Sequence, residues 1–403
     1  MMAKESGNSS SPALALTSAA SGRRALQSAE RIVVKIGSRV LVQTTGSPDL
    51  PRIRRLVKEV ARLRNSGKQV VLVTSGAIAT GMEALGLRKR PTNLPELQMA
   101  AAVGQVRLMT LYDRCFGAER CRIGQVLLTH ADLQHRTRHL NARNTMMVLL
   151  RKGIIPIINE NDVVAVDEIK FGDNDILASL VTVLIDGDLL ILLSTTDGLR
   201  APLASGRTRR VPYLENVTRE ALALASGKGS DFSLGGMASK LKAAQTAVDA
   251  GAQVVIADGR KARVIERVIS GSDVGTIIGN CDLEQRGFFR GRKRWLAFFH
   301  KAHGAVVVDA GAQRALEQNG YSLLPIGIRE VEGTFPRGSL VNVRTMGGSV
   351  IARGLTEYSS DEIHRIMGRR TSETEAILGT RECDEVIHRD NMVSVSGKEE
   401  ESA

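Results

Sequence analysis

Residues 31–38 read RIVVKIGS, and residues 68–76 read KQVVLVTSG. Each stretch is a nearly continuous apolar run, rich in β-branched side chains, that ends in small polar residues. Between them, residues 51–67 place isoleucine, leucine and valine at helical spacing against a face of arginine and lysine, and stop at a glycine. Strands that are apolar along their whole length are typical of parallel sheets covered on both faces by helices. These residues therefore predict a β–α–β unit.

The same alternation continues to about residue 280. Further strands are predicted in RIGQVLLT, IIPIINEN, DLLILLST, AQVVIADG and GTIIG, and the segments between them have helical patterns. We predict an α/β fold over residues 28–280, a three-layer αβα sandwich with a mostly parallel central sheet. Because ligands of such sheets bind beyond the carboxyl ends of the strands, the small and polar ends KIGS, TSG, NEND and LST mark the expected site.

The sequence changes character after residue 301. Strands separated by glycine-rich turns are predicted in GAVVVDAGAQRAL, SLLPIGIREVEG, GSLVNVRTMGGSVIARG and EVIHRDNMVSV, with one short helix in SSDEIHRIMG. Residues 302–395 are therefore expected to form a small β-rich domain. A basic linker, 281–301, precedes it, and residues 1–27 and 396–403 are predicted to be tails.

Composition excludes several classes of protein. No apolar run approaches the roughly 20 residues that a membrane span needs, and the Ser/Ala-rich start lacks the apolar core of a signal peptide, so the cytoplasm is the expected compartment. The cysteines do not form a CxxC pair, and no histidine cluster has zinc spacing, so no metal site is predicted. The histidine-containing stretch THADLQHRTRH is expected to be a surface loop or a lid over the substrate.

The excess of positive charge, +12 for the whole chain, lies entirely before residue 281. Beyond that point there is one dense basic spot, at 286–294. Charges in a linker between domains keep it solvated, and contact with a polyanion is the alternative. Within 302–395 acidic residues outnumber basic ones. This sign disfavours an RNA-binding role for the C-terminal domain, which remains the alternative from a different functional class.

Two glycine-bearing turns suggest a phosphate site, although neither a P-loop nor a convincing dinucleotide fingerprint occurs. Lys35 ends the first strand in KIGS, and SLGGMASK (233–240) places two glycines before a helix with Lys240 in its first turn. Backbone N–H groups at such a helix start bind anions, and the lysines add positive charge. Each element alone also has a purely structural interpretation, as a solvated lysine or an ordinary turn.

Six strings occur in the order VVKIGS, VVLVTSGAIATG, AAVGQ, LNARNT, PIINENDVVAVDEIKFGDNDILAS and GGMASK. In this combination they resemble the amino acid kinase family, and within it the members that phosphorylate L-glutamate. The resemblance runs from about residue 31 to 395, because the C-terminal domain resembles the PUA domain, a small β-rich barrel.

The resemblance implies roles for individual residues. Lys35 would contact the transferred phosphoryl group, Lys240 would act on the nucleotide side, and Asp175 would organise both lysines. L-Glutamate would be bound by Ser75, Gly76, Asn159, Asp162, Asp173 and Asn174. The nucleotide would be bound by Lys35, Ser194, Thr195, Gly235, Gly236, Met237, Ala238, Ser239 and Lys240. Ser194 and Thr195 stand where the family commonly has Thr-Asp, and Leu234 stands where a threonine is common, so the nucleotide contacts are expected to differ in detail.

The implied reaction transfers a phosphoryl group from ATP to the side-chain carboxylate of L-glutamate, the first step of proline biosynthesis. A carboxylate is ionised at neutral pH and needs no general base. Mg²⁺ is expected to be held mainly by the nucleotide phosphates. The acids and amides of residues 158–179 would then bind the α-ammonium of the substrate and hold the lysines in place, whereas Glu160, Asp167 and Glu168 have the simpler interpretation of solvated loop acids.

Partners are implied by the same resemblance. It suggests a homo-oligomer, feedback inhibition by proline, and hand-off of the labile acyl phosphate to glutamyl phosphate reductase. Phosphorylation of acetylglutamate or aspartate is the alternative activity within the family. The NEND and GDND motifs and the C-terminal domain argue against it.

Overall fold

The computed structural model describes residues 21–43, 47–165, 174–203, 205–225, 236–279, 302–379 and 383–394. The chain divides into two compact units, Met1–Gly287 and Phe288–Ala403. Asp173, Gly235, the basic linker and the C-terminal tail lie outside the described residues. Residues 21–25 are helical, and Arg23 is buried and donates to the Ser272 carbonyl at 2.6 Å, so part of the predicted N-terminal tail belongs to the first unit.

The first unit is built on one large sheet and a small hairpin. Its strands are β1 (Arg31–Ile36), β2 (Gln69–Val73), β3 (Ile123–Leu128), β4 (Ile155–Glu160), β5 (Leu189–Ser194), β6 (Arg200–Pro202), β7 (Thr208–Arg210), β8 (Tyr213–Leu214), β9 (Gln253–Asp258) and β10 (Thr276–Ile278). The sheet has the order β3-β4-β2-β1-β5-β9-β10-β8, and β6 pairs with β7 separately.

The predicted mostly parallel sheet is confirmed. The six strands from β3 to β9 in this order are mutually parallel, while β10 runs antiparallel to β9 and carries β8 at the edge. The predicted strands of this unit are all present. The antiparallel direction of β10 and the short strands β6, β7 and β8 were not predicted.

Helices cover the sheet. They are α1 (Ser38–Leu41), α2 (Leu50–Asn65), α3 (Ala77–Ala84), α4 (Leu94–Ala118), α5 (His130–Gln134), α6 (Arg136–Arg151), α7 (Asn174–Leu184), α8 (Arg219–Ala225), α9 (Met237–Asp249) and α10 (Val264–Ile269). The first predicted helix, α2, starts at an Asp49 cap whose side chain accepts from Arg52 N, and its apolar stripe is buried as expected.

The expectation of a surface loop at THADLQHRTRH is wrong, because α5 and α6 occupy it, whereas a role as a lid over the substrate stays a prediction. Thr129 and Asp132 form a capping box that starts α5, with Asp132 N donating to Thr129 Oγ1 at 3.1 Å. His139 is buried, and its Nδ1 lies 3.2 Å from the Leu133 carbonyl oxygen. Local capping therefore overrides the polar composition of this stretch.

Two glycines allow α3 and α4 to approach closely. A Cβ atom on Gly81 would lie 1.7 Å from the Ala100 carbonyl oxygen, and a Cβ on Gly104 would lie 1.8 Å from the Ala77 carbonyl oxygen. Only glycine permits this backbone contact at both positions. The crossing explains why VTSGAIATG and AAVGQ carry these glycines, and it places α4 beside the end of β2.

The second unit contains a five-stranded mixed sheet. Its elements are β11 (Ala305–Val308), α11 (Ala310–Asn319), β12 (Ile328–Glu332), β13 (Leu340–Thr345), β14 (Val350–Leu355), α12 (Ser360–Ile366), α13 (Thr374–Leu378) and β15 (Met392–Ser394). The strand order is β12-β11-β13-β14-β15. The β-rich domain and its short helix α12 are confirmed, whereas closure into a barrel stays a prediction.

One segment of this unit differs from the prediction. The sequence predicts a strand in GAVVVDAGAQRAL, but only its first half is β11, and the second half is α11. The Asp309 side chain causes the change, because it accepts from the backbone N–H groups of Gly311 and Ala312 at 3.0 and 2.8 Å and caps the helix. Among the described residues of both units, no helix is long and apolar enough to span a membrane.

Candidate functional site

The candidate site lies at the carboxyl ends of the parallel strands, where the sequence predicts it. Alternation along β1 directs Val34 and Ile36 into the core beneath α2 and α4, so Lys35 points to the opposite face. That face is covered by α7, which contacts β1. Period-two alternation in a strand therefore brings the Lys35 side chain to the beginning of α7.

Three buried charged side chains meet at this point. Lys35 Nζ lies 2.7 Å from Asp175 Oδ1, and Lys240 Nζ donates to Asp175 Oδ2 at 2.9 Å. The side chain of Asp175 is 1% exposed and each lysine side chain 7% exposed. The contact between Lys35 and Oδ1 is an ion pair without the geometry of a directed hydrogen bond. The contact between Lys240 and Oδ2 is an ion pair and also a hydrogen bond. One carboxylate thus holds two ammonium groups side by side.

The electrostatics of this triad favour an anionic ligand. Burial would raise the pKa of Asp175, but the charges of Lys35 and Lys240 outweigh burial and hold its pKa below the usual value. With the carboxylate ionised, the triad itself contains two positive groups and one negative group. An excess charge in a nearly water-free site attracts anions strongly.

The predicted glutamate-binding residues form a second cluster beside the triad. Asn174 Nδ2 lies 2.8 Å from the Thr74 carbonyl oxygen, 2.9 Å from Ser75 Oγ and 3.0 Å from Asn159 Oδ1. Gly76 follows with φ of 102° and starts α3, a backbone conformation that favours glycine. The structure therefore brings residues from β4, α7 and the turn after β2 into one cluster.

Asp162 lies in the turn after β4. Burial raises the pKa of its carboxyl group to about 6, and the positive charge of Arg90 opposes that rise. Among the described residues no cation is bonded to this carboxylate, and a partly desolvated carboxylate of this kind is suited to receive the ammonium group of a ligand.

The predicted nucleotide-binding residues occupy the other flank of Lys35. The turn after Lys35 is tied to β5, because Gly37 N donates to the Leu193 carbonyl at 3.1 Å. Ser194 ends β5, and Thr195 follows it. On the neighbouring element, Gly236 caps α9, whose first turn contains Met237, Ala238, Ser239 and Lys240.

Three residues near the site carry no assignment from the sequence. Asp258, which pairs with Ser194 across β5 and β9, binds Arg260 through an ion pair of 2.9 Å. Arg260 Nη2 in turn donates to the Thr195 carbonyl at 2.6 Å. On the opposite flank, Gln105 Oε1 accepts from Asn159 Nδ2 at 2.9 Å. The one sequence signal that pointed to Gln105 is its position in the AAVGQ motif, next to the closely packed Gly104.

The fold and the lysine–aspartate site together define the class of protein. Residues 30–258 match the model of the amino acid kinase family, and residues 304–378 match the PUA domain. The chain therefore belongs to the amino acid kinase family.

Similar proteins narrow the class further. The chain is 47% identical over 373 residues to glutamate 5-kinase of Moorella thermoacetica, which covers 92% of this chain and 98% of that protein. It is 46% identical to glutamate 5-kinases of Citrifermentans bemidjiense and Cupriavidus metallidurans, in each case over 91% of this chain and 98% of the relative. Within the amino acid kinases, the chain groups with the glutamate 5-kinases.

Proposed function

We propose that this chain is a kinase that transfers the terminal phosphoryl group of ATP to the side-chain carboxylate of L-glutamate, giving L-glutamyl 5-phosphate and ADP. This reaction is the first step of proline biosynthesis. The observation that carries the proposal is the pair of lysines on the two oxygens of the buried Asp175 carboxylate. The similarity to glutamate 5-kinases over nearly the whole chain supports the choice of substrate.

The transfer is a single displacement at phosphorus. An oxygen of the glutamate side-chain carboxylate forms a bond to the γ-phosphorus, the bond from that phosphorus to the β–γ bridging oxygen breaks, and its electron pair leaves with ADP. Because the nucleophile is already ionised at neutral pH, no residue has to remove a proton. The barrier arises mainly from bringing one anion up to another.

Lys35 and Lys240 lower that barrier by neutralising charge. Lys35 lies on the central strand between the two flanks of the site and would contact the phosphoryl group in transfer. Lys240, at the start of α9, would stabilise the negative charge that develops on the leaving β-phosphate. Asp175 keeps both ammonium groups in place before the nucleotide arrives, so no reorganisation is needed during transfer.

The amino acid would bind on the flank formed by β2 and β4. Asp162 supplies a carboxylate for the α-ammonium group. Ser75, Gly76, Asn159, Asp173 and Asn174 complete the proposed contacts, of which Asp173 rests on the sequence motif alone. Positioning of the carboxylate next to the phosphorus turns a bimolecular encounter into an intramolecular step.

The nucleotide would bind on the flank formed by β5 and α9, through the nucleotide contacts predicted above. Mg²⁺, when bound with ATP, supplies additional neutralisation of the phosphate charges. Among the described residues no three His, Cys, Asp or Glu side chains could jointly hold a metal ion, and both Asp175 oxygens already face lysines. The described residues therefore fit a Mg²⁺ ion that would be held mainly by phosphate oxygens and water.

The proposal is tested by trapping the acyl phosphate with hydroxylamine in the presence of ATP. We expect hydroxamate from L-glutamate, little from N-acetyl-L-glutamate or L-aspartate, and a loss of at least a hundredfold in Lys35→Ala. Circular dichroism checks that the variant is folded. Equal turnover of aspartate or acetylglutamate would contradict the choice of substrate, and full activity of folded Lys35→Ala would contradict the mechanism.

Several further expectations belong to this proposal. The expected compartment is the cytoplasm, where ATP and free glutamate are available. A homo-oligomer, feedback inhibition by proline and hand-off to glutamyl phosphate reductase remain predictions, to be measured by light scattering, inhibition kinetics and co-purification. The hand-off is chemically reasonable because an acyl phosphate hydrolyses readily in water.

A further inference from the structure

A chain of three side-chain amides runs from α7 toward α4. Asn174 Nδ2 donates to Asn159 Oδ1 at 3.0 Å, and Asn159 Nδ2 donates to Gln105 Oε1 at 2.9 Å. Two of these residues belong to the predicted glutamate site. Gln105 extends that site by one residue from the middle of α4.

The orientation of every amide in this chain is fixed from one end. The backbone carbonyl of Thr74 can only accept a hydrogen bond, and it faces Asn174 Nδ2 at 2.8 Å. The Asn174 nitrogen must therefore be the donor to Asn159, and the Asn159 nitrogen must be the donor to Gln105. The oxygen of Gln105 consequently faces Asn159, and its nitrogen ends the chain.

Gln105 Nε2 is buried and lacks a hydrogen-bond partner among the residues that the structure describes. Turning the amide over would not help, because it would place one N–H donor against another at Asn159. A buried donor without an acceptor is unfavourable, so the position calls for an acceptor supplied by a ligand.

The backbone around Gln105 is held in place. The preceding residue, Gly104, allows the close crossing of α4 with α3. Two turns later on the same helix, the Tyr112 hydroxyl lies 2.7 Å from Thr74 Oγ1, in a fully buried contact. These two contacts fix α4 against α3 on one side of Gln105 and against the end of β2 on the other, as expected for a residue that positions a ligand.

We propose that Gln105 Nε2 donates a hydrogen bond to the α-carboxylate of the bound amino acid and thereby helps to select L-glutamate. This inference rests on the proposed function. Asn174 adjoins Asp175, where the phosphoryl group is transferred, so that end of the amide chain belongs to the reacting carboxylate. Gln105 lies two amides farther away. The α-carboxylate, at the opposite end of the amino acid from the reacting carboxylate, is therefore assigned to Gln105.

Two variants test the contact in the full-length protein. Gln105→Met removes the donor at similar length, and Gln105→Glu keeps an oxygen for Asn159 but turns a negative charge toward the substrate. We expect the KM for L-glutamate to rise at least tenfold in Gln105→Met and further in Gln105→Glu, with the KM for ATP within twofold of the wild type. Gln125→Glu, the same change at an exposed position on β3, should leave both constants within twofold.

A competitor identifies the carboxylate. 4-Aminobutanoate has the amine and reacting carboxylate of L-glutamate but lacks the α-carboxylate. Its inhibition constant against L-glutamate should be the same within twofold in the wild type and in Gln105→Met. If the inhibition constant of 4-aminobutanoate rose in Gln105→Met as much as the KM for L-glutamate, the assignment to the α-carboxylate would be overturned.

Two other outcomes would overturn the proposal as a whole. The first is an unchanged KM for L-glutamate in folded Gln105→Met. The second is an equal rise of the KM for L-glutamate and for ATP, which indicates a purely structural role. Failure of the wild type to form an acyl phosphate from L-glutamate would instead contradict the proposed function, so the two failures are distinguishable.

Discussion

Asp175 and Lys240 are 65 residues apart in the sequence, yet Lys240 Nζ donates to Asp175 Oδ2 at 2.9 Å inside the protein. Removal of the carboxylate would leave two buried ammonium groups facing each other. We expect Asp175→Asn to lower the free energy of unfolding by about 3–5 kcal/mol, as measured by urea denaturation. Asp113→Asn, an exposed change on α4, should stay within about 0.5 kcal/mol. Equal stability of the two variants would contradict the buried triad.

Two lysines on α9 provide a matched pair for the catalytic prediction. Lys240 is buried at Asp175, whereas Lys242 is exposed on the same helix. We expect Lys240→Met to lower kcat by about 10²–10³, because it removes a preorganised positive charge from the transition state. Lys242→Met should keep kcat within about twofold. Comparable losses in both variants would indicate a general effect of positive charge on α9.

The pKa of Asp162 predicts a pH dependence of substrate affinity. Burial raises that pKa to about 6. Only an ionised carboxylate would form the proposed ion pair with the α-ammonium group. Lowering the pH through 6 protonates Asp162, so the KM for L-glutamate should rise by about tenfold per pH unit below that value. Asp162→Asn should have a high KM that no longer changes between pH 5 and 7. A variant that keeps the wild-type pH profile would exclude Asp162 as the titrating group.

The neighbouring cation offers an independent check of the same group. Arg90 lowers the pKa of Asp162 against the effect of burial. Its removal in Arg90→Met should therefore raise the pKa and move the midpoint of the KM profile to higher pH. Arg88→Met, also exposed two residues earlier, should move the midpoint less. A shift to lower pH in Arg90→Met would contradict the assignment.

Two glycines of α4 have different surroundings, so their substitution by alanine separates the effect of close packing from the effect of helix propensity. A Cβ atom at Gly104 would lie 1.8 Å from the Ala77 carbonyl oxygen, whereas a Cβ at Gly117 would have no neighbour within 4 Å. We expect Gly104→Ala to lower the unfolding free energy by about 1–3 kcal/mol or more, and Gly117→Ala to raise it by about 0.5–1 kcal/mol. Thermal unfolding of both variants measures the difference. A stabilising Gly104→Ala would contradict the close helix crossing.

Long apolar runs made the larger sheet predictable from the sequence. The strands around Lys35 and Ser75 are buried on both faces, which leaves a clear pattern of side chains. The direction of β10 was not predictable, because a three-residue strand has the same pattern in either direction. The helices α5 and α11 were missed because a single side-chain cap, from Thr129 or Asp309, decides them.

The site was predictable only in part, for a different reason. Sequence motifs identified Lys35 and Asp175 as candidate site residues. Gln105 and Arg260, in contrast, join the site through hydrogen bonds to residues that are far away in the sequence. The orientation of the Gln105 amide depends on the backbone carbonyl of Thr74, in the turn after β2, and on two asparagines from other elements. Such long-range hydrogen bonding leaves no local pattern in the sequence.

The strand order has a consequence for how such an enzyme can change its specificity. β1, which carries Lys35, separates β2 and β4 from β5 and β9. Residues proposed to bind the phosphoryl acceptor and residues proposed to bind the donor therefore lie in opposite halves of the sheet. Substitutions in the β2–β4 half could redirect the enzyme to a new acceptor while the ATP half stays intact, so acceptor exchange by design should start from that half alone.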